Sequence, residues 1–460
     1  MNRIYRSSVA MLAVGATVLA VGIMPASAKS KSNPTLKNSL SIAAAQSGTT
    51  GAALAIGGSS FDQPLVAAAI TQFNAAGANN SGWITTYGSK NSLCGRELAL
   101  GYLGSSPATL SNSSGCPTIP TDGYGAIGFS DISLDNETVA APLDSALYPS
   151  GKSAADYVQV PVTIGGIAII FKIGFASDAN AICQTNFTKN GLKLDGKTIG
   201  QIFKGTVTNW NAAAIAATNK SLQIMGAKGT TPYNCLAHLT TQTITLEDRT
   251  AGSGTTFMFS TYLQKVDATE FPNPLSTLPT VTGMVQSSSS ALLSAAVGST
   301  DGSIGYVESS YAIIANAATP GTLNVAVVKN ASGKYVKCTT ATIGAAAKKG
   351  LAVIGTNFAA DQASHYALVN EPGKTSYPMV GVSWAIVRKA QTNEYQAKAI
   401  VQFLEFLTHT GTAYGQSNAA ALSYVALPAA LQALAETKLG TVTYPTGVGA
   451  ATAFALTTAN

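Results

Sequence analysis

The feature that most constrains this chain is a repeated local unit: a short apolar run, a turn of Gly and Ser, then a segment with helical spacing. Ala53-Leu54-Ala55-Ile56 reads as a strand that runs through Gly57-Gly58-Ser59-Ser60-Phe61 into a helix carrying Pro64, Leu65, Ile70 and Phe73. Trp83 to Tyr87 alternates as a second strand, Gly88-Ser89 turns, and a helix follows over Leu93 to Leu100. Gly125 to Asp131 is a third apolar strand, ending in Ser130-Asp131. The fourth is Thr243-Ile244-Thr245-Leu246; its turn is Glu247 to Thr256, and its helix carries Phe257, Leu263 and Val266. Repeated units of this kind specify an α/β fold, whose ligands bind beyond the carboxyl ends of the strands.

The fourth turn has the richest chemistry. Arg249-Thr250-Ala251-Gly252-Ser253-Gly254-Thr255 places glycines and hydroxyls at a helix N-terminus, where backbone N–H groups and the helix dipole favour an oxyanion. Arg249 adds a planar fork of donors. Taken alone, Gly-Ser-Gly equally describes a capped helix, Asp131 an N-cap or loop acid, and Ser60 and Ser89 ordinary turn serines. The segments must be weighed together.

Arg3 and Arg6, the apolar run Val9 to Met24 and Ala26-Ser27-Ala28 make residues 1–28 a secretory signal peptide. A Ser/Ala/Asn/Lys-rich linker follows over 29–50. With no cysteine before Cys94, a lipid anchor on the new N-terminus is not expected, and no later apolar run is long enough to span a membrane. The mature chain is expected to be periplasmic or secreted. In that oxidising setting proximity pairs Cys94 with Cys116 and Cys183 with Cys235, leaving Cys338. A hydrophobic content of 46% can build the cores of more than one domain. The net charge of +6 includes no basic run, which argues against nucleic acid while suiting an anion. Three histidines (His238, His365 and His409), with no C-x-x-C or H-E-x-x-H, give no support to a metal centre, and no cofactor is expected. Gly191 to Thr198 fits G-x-x-x-x-G-K-[ST]. The alternation of Leu192 and Leu194, the Asp195-Gly196 turn and a helix from Thr198 make it a structural segment rather than a nucleotide loop. Trp210 and Trp384 read as core, and His409 as a cap near the end of a helix.

Four segments carry a family resemblance: Gly57-Gly58-Ser59-Ser60-Phe61 with Pro64-Leu65, Tyr87-Gly88-Ser89, Gly128-Phe129-Ser130-Asp131, and Arg249 to Thr255. In this order they resemble the binding segments of the phosphate-binding proteins of phosphate-specific ABC transporters. Val160 to Gly166, Leu194 to Phe203, Gly302 to Glu308 and Tyr424 to Pro428 extend the likeness over about Leu54 to Leu439. It implies a two-lobed periplasmic-binding-protein fold (type II), with crossover hinges before Gly165 and at Ser376 to Met379. Lobe I would comprise 51–163 and 379–441, lobe II 164–378, with a flexible tail over 442–460.

The resemblance further implies that phosphate is held by hydroxyls of Ser60 and Ser89, the N–H of Phe61, the carboxylate of Asp131, Arg249, and the hydroxyl and N–H groups of Ser253, Gly254 and Thr255. Asp131 suits a ligand that still bears a proton and disfavours sulfate, which has none. Arsenate is the isosteric competitor and ABC permease subunits are the protein partner; the binding protein is expected to be a monomer and not an enzyme. The family's Asp two residues after the arginine is here Ala251, which predicts a more electropositive cleft and a less constrained Arg249. A secreted phosphatase-like hydrolase using the same anion site is the alternative; it needs a nucleophile with a base, or a metal, and the residues near Ser253 provide neither.

Overall fold

The computed structural model describes residues 53–75, 84–101, 116–117, 125–134, 152–177, 180–224, 233–250, 252–354, 368–412, 414–446 and 450–453. The principal strands are β1 (Ala55–Gly58), β2 (Gly88–Ser89), β3 (Ala126–Ser130), β4 (Tyr157–Phe171), β5 (Thr245–Arg249), β6 (Val285–Ser287), β7 (Ser303–Glu308) and β8 (Val380–Arg388). They join in the order β2-β1-β3-β8-β4-β7-β5-β6, and Asn324–Val325 pairs with the end of β4.

β4 is the spine. Its sequence is almost continuously apolar and every residue except Gln159 is buried, as befits a strand covered on both faces. It pairs antiparallel with β8 from Tyr157 to Gly166, then with β7 from Ile167 to Phe171. One strand thereby passes from the sheet of one lobe to that of the other. Met379, at the return passage, accepts from the Ile167 N–H at 2.9 Å, and the Tyr377 hydroxyl donates to the Ile167 carbonyl at 2.7 Å. Gly165 is required here by close approach, because a Cβ would lie 2.6 Å from the Phe61 ring.

On one side β2, β1 and β3 are parallel; on the other, β7, β5 and β6 are. Helices α1 (Gln63–Ala75), α2 (Ser92–Leu100), α3 (Gly254–Val266), α4 (Ser290–Ser299) and α5 (Ser309–Ala318) follow β1, β2, β5, β6 and β7. The α/β repeat read from the sequence is therefore the fold, a two-lobed mixed α/β structure. α3 buries Phe257, Met258, Phe259, Tyr262 and Leu263. Side chains of this size each stabilise by about 1.5–3 kcal/mol, which holds the preceding turn rigidly in place.

Several local expectations are refined. Ile84 to Tyr87 forms no strand; β1 pairs instead with Gly88 and Ser89. A Cβ on Gly57 would meet the Gly88 carbonyl at 2.4 Å, so the chains approach where side chains are absent. Cys94–Cys116 and Cys183–Cys235 are disulfides, and Cys338 is free. Asp195 caps the helix Gly196–Phe203 through the Thr198 N–H at 2.9 Å, and Lys193–Leu194 pairs with Val327–Lys329, so the loop-like motif is a structural element. Trp210 and Trp384 are core residues. His409 lies 3.0 Å from a Glu436 carboxylate oxygen, so a side chain joins the helix terminus as its partner. In the segment expected to be a flexible tail, Thr443–Thr446 pairs with Ala450–Ala453, and Thr443 exchanges backbone bonds with Lys389 and Gln391. Among the described residues no helix is long and apolar enough to cross a membrane. Residues 1–50, read from the sequence as a signal peptide and linker, lie outside the described residues.

Candidate functional site

The carboxyl ends of β1, β2 and β3 converge on one wall. The β1 turn is clamped by three tyrosines, Tyr87 half-buried and Tyr311 and Tyr424 buried, that donate to its successive carbonyls: Tyr87 to Ser59 at 2.5 Å, Tyr311 to Ser60 at 2.9 Å and Tyr424 to Phe61 at 2.5 Å. Burial raises each of these hydroxyls well above its ordinary pKa, so they remain donors. Asp131 follows β3 and is buried. Its Oδ2 accepts from Ser59 at 2.7 Å and Ser92 at 3.2 Å, and its Oδ1 from Ser383 at 2.8 Å. A carboxylate offers about four lone-pair sites, so these donors leave it able to accept one more hydrogen. Burial, then the Glu308 charge, raises its pKa, and the serine bonds pull the other way.

The opposing wall is the end of β5 and the start of α3. Arg249 is almost wholly buried. Its Nη1 donates to Ser60 Oγ at 3.1 Å and Ser290 Oγ at 2.7 Å, and its Nη2 to the carbonyls of Lys90 at 2.9 Å and Ser288 at 3.3 Å. The guanidinium thus bridges residues of both lobes. Gly252, at φ 80°, makes the turn into α3, and Ser253 caps the helix by accepting the Thr256 N–H at 3.2 Å. Behind it, the Tyr306 hydroxyl joins Asp248 to Thr256, and the Tyr306 ring stacks on Phe259 with centroids 4.3 Å apart. Helix geometry leaves the first N–H groups, those of Gly254 and Thr255, without intrahelical partners. Gly254 packs on Asp131 so closely that a Cβ would lie 2.7 Å from Oδ2 and 2.3 Å from Ser92 Oγ. A helix N-terminus, a buried guanidinium and a carboxylate therefore face one another, an arrangement suited to a small oxyanion that carries a hydrogen.

The expected residues meet here in differing states. Ser60 touches Arg249, and Asp131 adjoins Gly254. Ser89 Oγ is buried beside the Tyr311 hydroxyl without a hydrogen bond of full geometry. The Phe61 N–H donates to Ser59 Oγ at 3.1 Å, and the Thr255 hydroxyl is committed to Glu308 at 2.5 Å, so its backbone N–H is the remaining donor. Ala251 lies outside the described residues. The expectation of a loosely held Arg249 is nonetheless corrected: serine hydroxyls and backbone carbonyls fix the fork. Two further acids, Asp62 and Glu308, are buried next to Asp131. Sequence reasoning missed both acids, together with Ser290 and Ser383. Asp62 looks like a cap for the helix that follows it, and Glu308 like the end of a strand.

Comparison with known proteins places this geometry in a family. The PBP superfamily domain matches residues 43–411. The phosphate-binding protein PstS of Xylella fastidiosa (strain 9a5c) is 27% identical over 308 residues, 66% of this chain and 72% of that protein. That of Methanocaldococcus jannaschii is 25% identical over 319 residues, covering 66% and 73%. Among solved structures, a high-affinity periplasmic phosphate-binding protein (PfluDING) bound with phosphate superposes with TM-score 0.54 at 19% identity, over 84% of this chain and 93% of that one. A DING protein gives TM-score 0.56 with the same identity and coverage. At such identity the structures speak for the fold, while the domain match spans most of the sequence: this chain belongs to the PBP superfamily.

Proposed function

We propose that this protein binds inorganic phosphate between its lobes, outside the cytoplasm, and delivers it to the permease of an ABC transporter for uptake. The observation that carries this reading is the placement of Asp131, with acceptor capacity to spare, against the N-terminus of α3 and near Arg249. A carboxylate facing an anion site is repulsive unless the ligand brings a hydrogen, and phosphate does. The relatives named phosphate-binding protein PstS support the ligand class. Ser60, Phe61, Ser89, Asp131, Arg249, Ser253, Gly254 and Thr255 are the proposed ligand set, with donors now turned toward other protein groups turning to phosphate. Arsenate would share the site. The protein would be exported by residues 1–28, act as a monomer and catalyse nothing; the relatives' names give the phosphatase alternative no support.

Arg249→Lys tests this directly. A point charge cannot reproduce the fork, so phosphate affinity measured by calorimetry should fall by about 10- to 100-fold, the worth of about 1.5–3 kcal/mol for a hydrogen bond to a charged group. Unchanged affinity would remove Arg249 from the site.

A further inference from the structure

Asp62 sits one residue before α1, where an acid ordinarily caps the helix, yet its side chain bonds elsewhere. Its Oδ2 lies 2.5 Å from Ser383 Oγ, and Oδ1 is buried without a partner among the described residues. The same Ser383 oxygen lies 2.8 Å from Asp131 Oδ1. A hydroxyl owns one hydrogen and can donate it to one acceptor, so two ionised carboxylates at these distances would set lone pair against lone pair. One of the two acids therefore carries a proton. Asp131 has serine donors on its other oxygen; among the described residues Asp62 has only Ser383. An ionised Asp62 would strand a buried charge with an unpaired oxygen, whereas a neutral acid leaves only a carbonyl lone pair unmet.

We infer that Asp62 is a neutral carboxylic acid that donates to Ser383 Oγ, so that Ser383 donates to Asp131 and keeps Asp131 an acceptor for the ligand's hydrogen. Asp62 is thus a positioning residue for selectivity, one shell removed from the anion. The backbone aims the relay: β8 and β4 change register between Ser383 and Trp384, and bulges of this kind redirect side chains. This inference rests on the phosphate reading for its consequence, though not for its proton count. Asp62 is faced by Asp131 after β3, Glu308 at the end of β7 and the hydroxyls of Tyr87, Tyr311 on α5 and Tyr424; Arg249 on β5 acts on the Tyr311 hydroxyl. Burial, followed by the Asp131 charge, raises the pKa of Asp62 well above its ordinary value, in the same sense as the geometry. An acid raised on folding contributes stability that is complete below its unfolded pKa and is lost as pH rises through its folded one. At high pH, Asp62 would surrender its proton, compete for the Ser383 hydrogen and place a second negative charge beside the anion.

The test compares wild type with Asp62→Asn, whose amide can donate to Ser383 but cannot ionise. Phosphate ionises identically for both proteins, so the ratio of their dissociation constants isolates the protein's own groups. Near about pH 6 that ratio, wild type over variant, should lie close to one, and it should rise by about tenfold or more, the effect of about one pKa unit of differential interaction, as pH climbs through the folded pKa of Asp62. A ratio already at about ten or more near about pH 6 would overturn the inference, because Asp62 would then be ionised throughout. Independently, carbon-13 spectra of wild type labelled in its aspartate carboxyls, without ligand at neutral pH, should contain a protonated carboxyl signal that Asp62→Asn lacks. Its absence from wild type, or its persistence in the variant, would overturn the inference whether or not the protein binds phosphate. Failure of wild type to bind phosphate at any pH would instead sink the functional reading, and the spectra would still decide this one.

Discussion

At the scale of single residues, the site is governed by how many hydrogens each hydroxyl has to give. Arg249 Nη1 reaches Ser60 and Ser290, which bring the lobes together through neutral oxygens. A fork held in this way keeps its orientation without a carboxylate two residues on, where this sequence has Ala251. Gly254 is the most demanding position, since a methyl group there would lie 2.3 Å from Ser92 Oγ and 2.6 Å from the Asp131 Cβ. Those contacts cross between the lobes, so Gly254→Ala should oppose their approach more than it harms either lobe. We expect at least a tenfold loss of phosphate affinity by calorimetry, about 1.4 kcal/mol, with the thermal midpoint nearly unmoved. Equal losses of affinity and thermal stability would place the effect in folding instead.

At the scale of elements, the strand-turn-helix units were legible because their hydrophobic periods and turn residues agree. Ser253 precedes α3 as its cap, and Ser253→Ala should cost about 0.5–2 kcal/mol in a denaturant titration. No loss would mean that packing alone positions the turn. Other elements were illegible for physical reasons. Trp83 to Tyr87 alternates as a strand does, but β1 accepts its neighbour at Gly88, where the backbones can touch. Asp62 and Glu308 were hidden because their role comes from what packs around them. Ser383 lies 321 residues from Asp62 in sequence, and no local pattern announces that contact. Arg249 and Asp131, proposed here as ligand residues, stood out in the sequence because each anchors a turn with its own recognisable chemistry.

At the scale of the whole molecule, β4 and the returning passage at Tyr377 to Met379 make two connections between two sheets. Such a pair permits hinge closure, with the binding residues carried at the inner ends of the strands. In the described structure the walls already touch, through Arg249 with Ser60 and Tyr311 with the Ser60 carbonyl. Ligand binding would exchange some of these contacts for contacts with the anion, and the closed form would be the one a permease distinguishes. The central claim is that the closed cleft selects an anion carrying a hydrogen. Calorimetric titration of wild type with phosphate and then sulfate, at one pH and ionic strength, tests it most directly. The account predicts saturable phosphate binding and sulfate weaker by a factor of about 10⁴ or more, because sulfate brings no hydrogen to Asp131; equal binding of the two anions, or binding of neither, would contradict it.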